Sequence, residues 1–369
     1  MDVRTRTLAW SGGLAGLLVA VVLVSAGIGP VSIPARTVAK VVLNAVAVPS
    51  GLAFSPTPVS LPLVGQTTVA APHLSFASVF QFPVERTHTV IVRSVRLPRI
   101  VLAAFVGFAL ATAGVVMQGF FRNPMADPSI IGVSSGAAVG AVASIVLPFA
   151  LPFGLQLQSA AFVTALVTAF GVYVLASEGG HTPTATLLLA GVAVQTFLGA
   201  VISFMLLHSG ESLRRVVYWL MGHLGGATWD EVRTVLLVVP PLFVLLLTYG
   251  RDLNVLLLGE DDARSLGIEV ERTKRILLAA SSIVTAAAVA VTGVIGFVGL
   301  IVPHGVRLVV GPDHRILLPT SALAGASFLV ATDTLARSGA AEIPVGIVTA
   351  ALGAPFFLYL LRTREVHSL

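Results

Sequence analysis

The residues that could do chemistry are few, and their spacing excludes most reactions. The chain holds eight histidines and no cysteine, which removes disulfides, thiolate nucleophiles and cysteine metal sites. His181, His208, His223, His304 and His314 fall in different loops and span ends, and no His-Glu-x-x-His pair exists. No Gly-x4-Gly-Lys-Ser/Thr loop is present, so a Walker-type phosphate cradle is absent from the sequence. Three polar groupings stand out instead. Arg96 and Arg99 open an apolar run, Asp333 precedes Arg337 by one helical turn, and Glu260-Asp261-Asp262 sits in a charged loop.

The elements that must carry these groups are apolar. Of 369 residues, 56% are hydrophobic and 11% are charged, against roughly 25% charged in soluble domains. A bilayer resolves that excess by serving as the apolar solvent. Apolar runs lie near 8–28, 97–119, 130–151, 157–177, 184–207, 232–250, 274–293, 295–311, 316–336 and 343–361. The expectation is therefore an all-α integral membrane protein with ten transmembrane helices. Pro152-Phe153-Gly154 and Gly311-Pro312 read as short turns, and Gly293, Gly296 and Gly299 split the run 274–311 into two passes. Residues 1–29 read as a first, retained helix, with a cleaved signal peptide as the alternative.

Residues 30–92 are proline-rich and poor in charge, and read as an irregular external segment with one short helix near 34–47. Residues 93–369 then carry the other nine helices and a charged loop at 251–275. Arg4, Arg6, Arg362 and Arg364 favour both termini in the cytoplasm, and the loop 251–275 falls on the same side. Arg93, Arg96 and Arg99 fall outside, against the rule; either the orientation is reversed there or they have a task outside. Two halves, 1–207 and 232–361, would be inverted five-helix repeats; Arg-Leu-Pro-Arg-Ile at 96–100 loosely echoes Thr-Lys-Arg-Ile at 273–276. Gly132, Gly136 and Gly140 form a close-packing face. Mid-span charge is nearly missing, which argues against an ion-coupled secondary transporter and for an energy source on another chain. The basic residues are scattered, so no nucleic-acid surface is expected.

Several blocks recur in a recognisable order. They are Arg96-Leu-Pro-Arg-Ile, Met117-Gln-Gly-Phe-Phe-Arg-Asn-Pro-Met-Ala-Asp-Pro, Leu187-Leu-Leu-Ala-Gly-Val-Ala, Gly259-Glu-Asp-Asp-Ala-Arg-Ser-Leu-Gly, Gly296-Phe-Val-Gly-Leu-Ile-Val-Pro-His and Glu342-Ile-Pro-Val-Gly. Together they resemble the permease family of ABC importers for iron-siderophores, haem and vitamin B12 (the FecCD/BtuC type), over about residues 90–361. The resemblance implies a type II ABC importer permease architecture: a homodimer in the cell membrane, two ATP-binding subunits below it, and a substrate-binding protein docking outside. It implies no cofactor and no chemistry on the substrate, with a corrinoid marginally preferred over haem or a ferric siderophore.

Arg96, Arg99 and Arg337 match the arginines that pair with binding-protein carboxylates. The segment Gly259, Glu260, Ala263, Arg264, Leu266 and Gly267 matches the ATPase-coupling segment. There a short helix is expected to start near Asp261 and stop at Gly267, with Ala263 and Leu266 sharing one face. Asn123 and Met125 match a cytoplasmic constriction, and Thr184 matches a second, although Ala185 departs from its pattern of small hydroxyl residues.

Overall fold

The computed structural model describes residues 2–29, 31–61, 65–147, 156–339 and 341–363. The turn expected at Pro152-Phe153-Gly154, and Arg364, lie outside them. In chain order the helices are α1 (Val3–Gly27), α2 (Ala35–Asn44), α3 (Arg86–Val90), α4 (Leu97–Phe120), α5 (Val133–Val146), α6 (Leu157–Ala176), α7 (Thr184–Leu207), α8 (Leu213–Leu220), α9 (Trp229–Thr248), α10 (Gly250–Leu256), α11 (Glu260–Ser265), α12 (Val270–Thr292), α13 (Val298–Val310), α14 (His314–Ala336) and α15 (Val345–Thr363). A π-helical turn, Ile91–Arg96, joins α3 to α4 into one 35-residue helix.

Each of the ten apolar runs overlaps one of these helices. Seven are long and apolar enough to cross a membrane, while Val133–Val146, Val298–Val310 and Val345–Tyr359 are shorter. The chain is thus a multi-pass membrane protein. The middle of the bundle is α4, α12 and α14; in the apolar window of each, 72–78% of residues are buried, against 0% for α1 and 11% for α7. On the outer helices the apolar side chains face outward, as with Leu189, Phe197, Phe204 and Leu207 of α7. A bilayer stabilises that arrangement where water would not.

Close approach of backbones holds the middle together. A Cβ on Gly107 would lie 2.2 Å from the carbonyl oxygen of Gly325, so α4 and α14 meet where neither has a side chain. One on Gly114 would lie 1.9 Å from the Gly299 carbonyl oxygen on α13. Gly136 and Gly140 of α5 lie against Thr168, Thr164 and Ala160 of α6, the close-packing face expected from their spacing. The break between α12 and α13 spans Gly293 to Phe297, where Gly293 (φ 72°) and Phe297 (φ 69°) both take left-handed backbone.

Two features depart from the sequence expectations. Residues expected to be irregular form a long antiparallel hairpin, β1 (Ala47–Leu61) with β2 (Gly65–Ser78), so a two-stranded sheet is added to the helices. The pairing runs from Ala47↔Ser78 to Leu61↔Gly65, with an irregularity between Pro49 and Gly51. Ala, Ser and Pro are the commonest residues of the two strands, and the prolines that suggested irregularity are tolerated because both strands are edges. The helix α2 lies within the stretch where one was expected. Short helices α8 and α10 were not expected; a helix of seven or eight residues is too brief for periodicity to reveal.

Candidate functional site

The charged residues gather at the two ends of the bundle, separated by α4, whose 24 residues span about 36 Å. At one end lie the start of α4, the ends of α1 and α14, and the approach to α15. Arg99 there grips Asp333 with Nε 3.0 Å from both carboxylate oxygens and Nη2 2.7 Å from Oδ1. Its Nη1 donates to Glu342 Oε1 at 2.7 Å. The Asp333 side chain is 1% exposed and that of Glu342 45%, so the guanidinium bridges a buried and a wet carboxylate. Asp333 Oδ2 also lies 3.4 Å from Arg337 Nε, one turn along α14.

Arg96 and Arg337 are turned inward. Arg337 donates to Ile28 O at 2.7 Å, to Ser25 O at 2.6 Å and to Ser25 Oγ at 2.6 Å. Arg96 donates to Ala26 O at 2.6 Å and to Val31 O. The last carbonyls of a helix have no intrahelical partner and carry the negative end of its dipole. Two buried arginines therefore cap α1 and tie it to α4 and α14. A Cβ on Gly29 would lie 2.9 Å from Arg96 Nη2, so that glycine leaves room for the guanidinium. Of the three arginines singled out from the sequence, Arg99 has the most exposed side chain, at 12%, and a partner in contact with water.

The loop behind this end is also polar. His223 donates its backbone N–H to Thr292 O at 2.7 Å, and burial lowers the affinity of its ring for a proton. Trp229 Nε1 donates to Arg93 O at 3.1 Å, fastening the start of α9 beside the π-helical turn.

At the other end, α4 finishes in a turn built by Asn123. Its backbone N–H reaches Gln118 O at 3.0 Å, and its side-chain Oδ1 accepts from Met125 N at 2.9 Å. Arg122, just before it, takes left-handed backbone at φ 49°. Thr184 is the first residue of α7, after Pro183. Gly259 starts α11 at φ 123°, a value that favours glycine, and Glu260, Asp261 and Asp262 fill the first turn. Gly267 ends the segment at φ 84°. A Cβ on Gly259 would stand 3.8 Å from Arg122 Nη1, so the turn after α4 and the start of α11 are neighbours.

Ala263 and Leu266 do not share a face as expected. Ala263 is fully buried, while Leu266 is 62% exposed and lies past the last helical residue, so helical spacing no longer governs its direction. Leu258, 63% exposed, flanks the helix on its other side. Arg264 pairs with Asp261 at 2.7 Å and Glu260 at 3.3 Å. Asp313 caps α14, and its acidity is raised to a pKa of about 2 by hydrogen bonds from Arg315 and Asn254. Arg6 Nη2 donates to Val310 O at 3.0 Å, which places the start of α1 at this same end. The approach to α15 lies at the opposite end, so α15 runs back towards the end of the bundle where α1 starts.

The spacing placed Asp333 beside Arg337, and the two lie 3.4 Å apart. It did not reveal that Asp333 is the main partner of Arg99, that Glu342 is the second, or that Lys274 is buried at the end of the bundle near α11. Only an excess of ionisable residues near span ends hinted at them. Among the described residues no group of three or more His, Asp or Glu is placed to hold a metal ion.

Comparison with known proteins adds the family. The FecCD transport family matches residues 17–363. The cobalamin import system permease protein BtuC of Halobacterium salinarum is 58% identical over 369 residues, covering 100% of both chains. The hemin transport system permease protein HmuU of Yersinia pestis is 44% identical over 83% of this chain and 93% of its own. The vitamin B12 import system permease protein BtuC of Vibrio cholerae is 41% identical over 73% of this chain and 82% of its own. A solved structure described as an inward-facing conformation of a metal-chelate type ABC transporter superposes with a TM-score of 0.75 at 31% identity, covering 96% of this chain and 99% of that one.

Proposed function

The chain belongs to the FecCD transport family, and from that premise we propose that it is the membrane-spanning permease of an ATP-driven importer whose cargo is a corrinoid. The observation that carries this reading is the end-to-end similarity to a chain named for cobalamin import. The separation of charged groups into two ends, with an uncharged bundle between, supports it. A transport path needs one docking end and one energised end, and no reacting group between them.

In this reading two copies form the path, and both chain ends face the cytoplasm across the cell membrane. The hairpin-bearing segment 30–92 lies outside. A substrate-binding protein docks over Arg99, with Arg96 and Arg337 shaping the surface from beneath. A carboxylate on that partner would compete with Glu342 for the Arg99 fork. Two ATP-binding subunits meet the loop 251–275, where the exposed Leu258 and Leu266 offer an apolar contact on either side of α11. Asn123, Met125 and Thr184 form the cytoplasmic gate. The chain itself performs no chemistry.

Uptake into vesicles carrying the full complex tests this. Labelled cobalamin is expected to accumulate when ATP is supplied, and haem and a ferric siderophore are not. Preferential uptake of haem would overturn the cargo. Uptake that follows an ion gradient without any ATPase would overturn the importer and favour a secondary transporter.

A further inference from the structure

Lys274, in the second turn of α12, has a side chain only 5% exposed, an unusual place for an ammonium group. Its Nζ donates to Glu260 Oε1 on α11 at 3.0 Å and to the backbone oxygen of Thr182 at 2.5 Å. Glu271 Oε1, one turn along α12, lies 3.5 Å away. Three segments distant in sequence thus meet on one nitrogen: the short helix α11, the start of α12, and the turn that feeds α7. An ammonium group has three N–H donors, and three oxygens surround this one.

The neighbours make each contact directional. Glu260 is held from its other oxygen by Arg264 at 3.3 Å, so a displacement of α11 carries the carboxylate with it. Thr182 O belongs to a tight turn, closed by the Glu178–His181 backbone bridge and by Thr182 Oγ1 at 3.2 Å from Ser177 Oγ. His181 Nδ1 stands 3.6 Å from the same Glu271 oxygen, adding a second, weaker tie from the turn to α12. Pro183 follows Thr182 and fixes the backbone into Thr184. Among the described residues no hydrogen bond runs directly from α11 to the turn 178–183; the link passes through Lys274.

We propose that Lys274 is a positioning residue that transmits movement of α11 to the turn before α7, and so couples the ATPase-facing surface to the gate at Thr184. This rests on the importer reading above. A buried cation resists separation from its partners, because an uncompensated charge in that setting is costly. The three segments are therefore expected to shift as one body. A strut of this kind differs from a packing residue: its loss should spare assembly and ATP hydrolysis while breaking their connection to transport.

The test uses the full complex in vesicles, with transport and ATP hydrolysis measured on the same preparation. Lys274→Met is expected to lower cargo moved per ATP by roughly 5- to 150-fold, the range typical of coupling between sites. Lys274→Arg keeps charge and donors and should restore part of it. Glu260→Gln should mimic the loss, and the double variant should be no worse than either single one. Because the chain has no cysteine, Glu178→Cys gives one spin label per subunit. The distance between the two labels should change on nucleotide addition with Lys274 present and stay fixed in Lys274→Met.

An unchanged ratio of transport to hydrolysis in Lys274→Met, or a label distance that still responds, overturns the strut. So does a parallel loss of assembly, hydrolysis and transport in both Lys274→Met and Lys274→Arg, which would mark a purely structural role. Failure of the unsubstituted complex to transport with ATP would instead overturn the importer reading itself.

Discussion

Removing the carboxylate of Asp333 should destabilise the bundle far more than removing Asp333 and its arginine together. Asp333 is buried near the end of α14, where it meets α4, and accepts three hydrogen bonds from Arg99. In Asp333→Leu the Arg99 guanidinium, 12% exposed, keeps only Glu342. Breaking a buried pair by deleting one partner costs about 3–5 kcal/mol. The surviving Glu342 contact lies at 2.7 Å, but that carboxylate is 45% exposed and well solvated, so it offsets only part of the loss. A net cost of about 3 kcal/mol follows, near the low end of that range. It corresponds to a shift of more than a hundredfold in the folding equilibrium. Replacing both groups, as Arg99→Met with Asp333→Leu, removes the stranded charge and should cost about 1 kcal/mol. Denaturation of the four proteins in one detergent, read as a double-mutant cycle, measures the difference. Additive costs, or a single Asp333→Leu within about 0.5 kcal/mol of the parent protein, would show that the pair is solvated and refute the argument.

Three further outcomes follow from the geometry. Gly114→Val places a side chain where the Gly299 carbonyl oxygen already stands, so overpacking should cost about 3 kcal/mol or more; size-exclusion profiles of the detergent-extracted protein should show aggregation, while Gly13→Val, with open space around it, should not. Leu266→Asp should leave the bundle intact and release ATP hydrolysis from transport; coupled transport at normal yield would remove Leu266 from the partner contact. Asp313 is held at a pKa of about 2, below the 3.8 of a free carboxyl, so its contribution is complete above about pH 4 and lost as pH falls towards 2. Asp313→Asn should therefore cost about 1 kcal/mol at pH 7, and the difference from the parent should vanish near pH 2 in acid denaturation.

Periodicity and hydrophobic content were sufficient for what depends on local chemistry. An apolar run of about 20 residues must bond its own backbone in a bilayer, so each run became a helix. Gly259 and Gly267 bounded α11 because their positive φ angles are forbidden to most other residues. The order of short blocks carried the family, since each block encodes a turn or a close contact that the fold reuses. The hairpin was less legible, because prolines that signal irregularity are also at home on edge strands.

Within one helix the spacing already paired Asp333 with Arg337; the tertiary structure alone decided which charges meet between helices. Arg96, Arg99 and Arg337 look alike in sequence, all basic residues at span ends. Only packing turned two of them onto the carbonyls of α1, more than 60 residues away in the chain for Arg96 and more than 300 for Arg337. The same holds for Lys274, which reads as a loop cation until α11 and the turn before α7 close over it. Pairing between distant residues depends on how helices dock, and docking here rests on backbone contacts such as Gly107 against Gly325. The physical cause is that a helix forms from its own hydrogen bonds, whereas an ion pair between helices needs a geometry that neither helix contains.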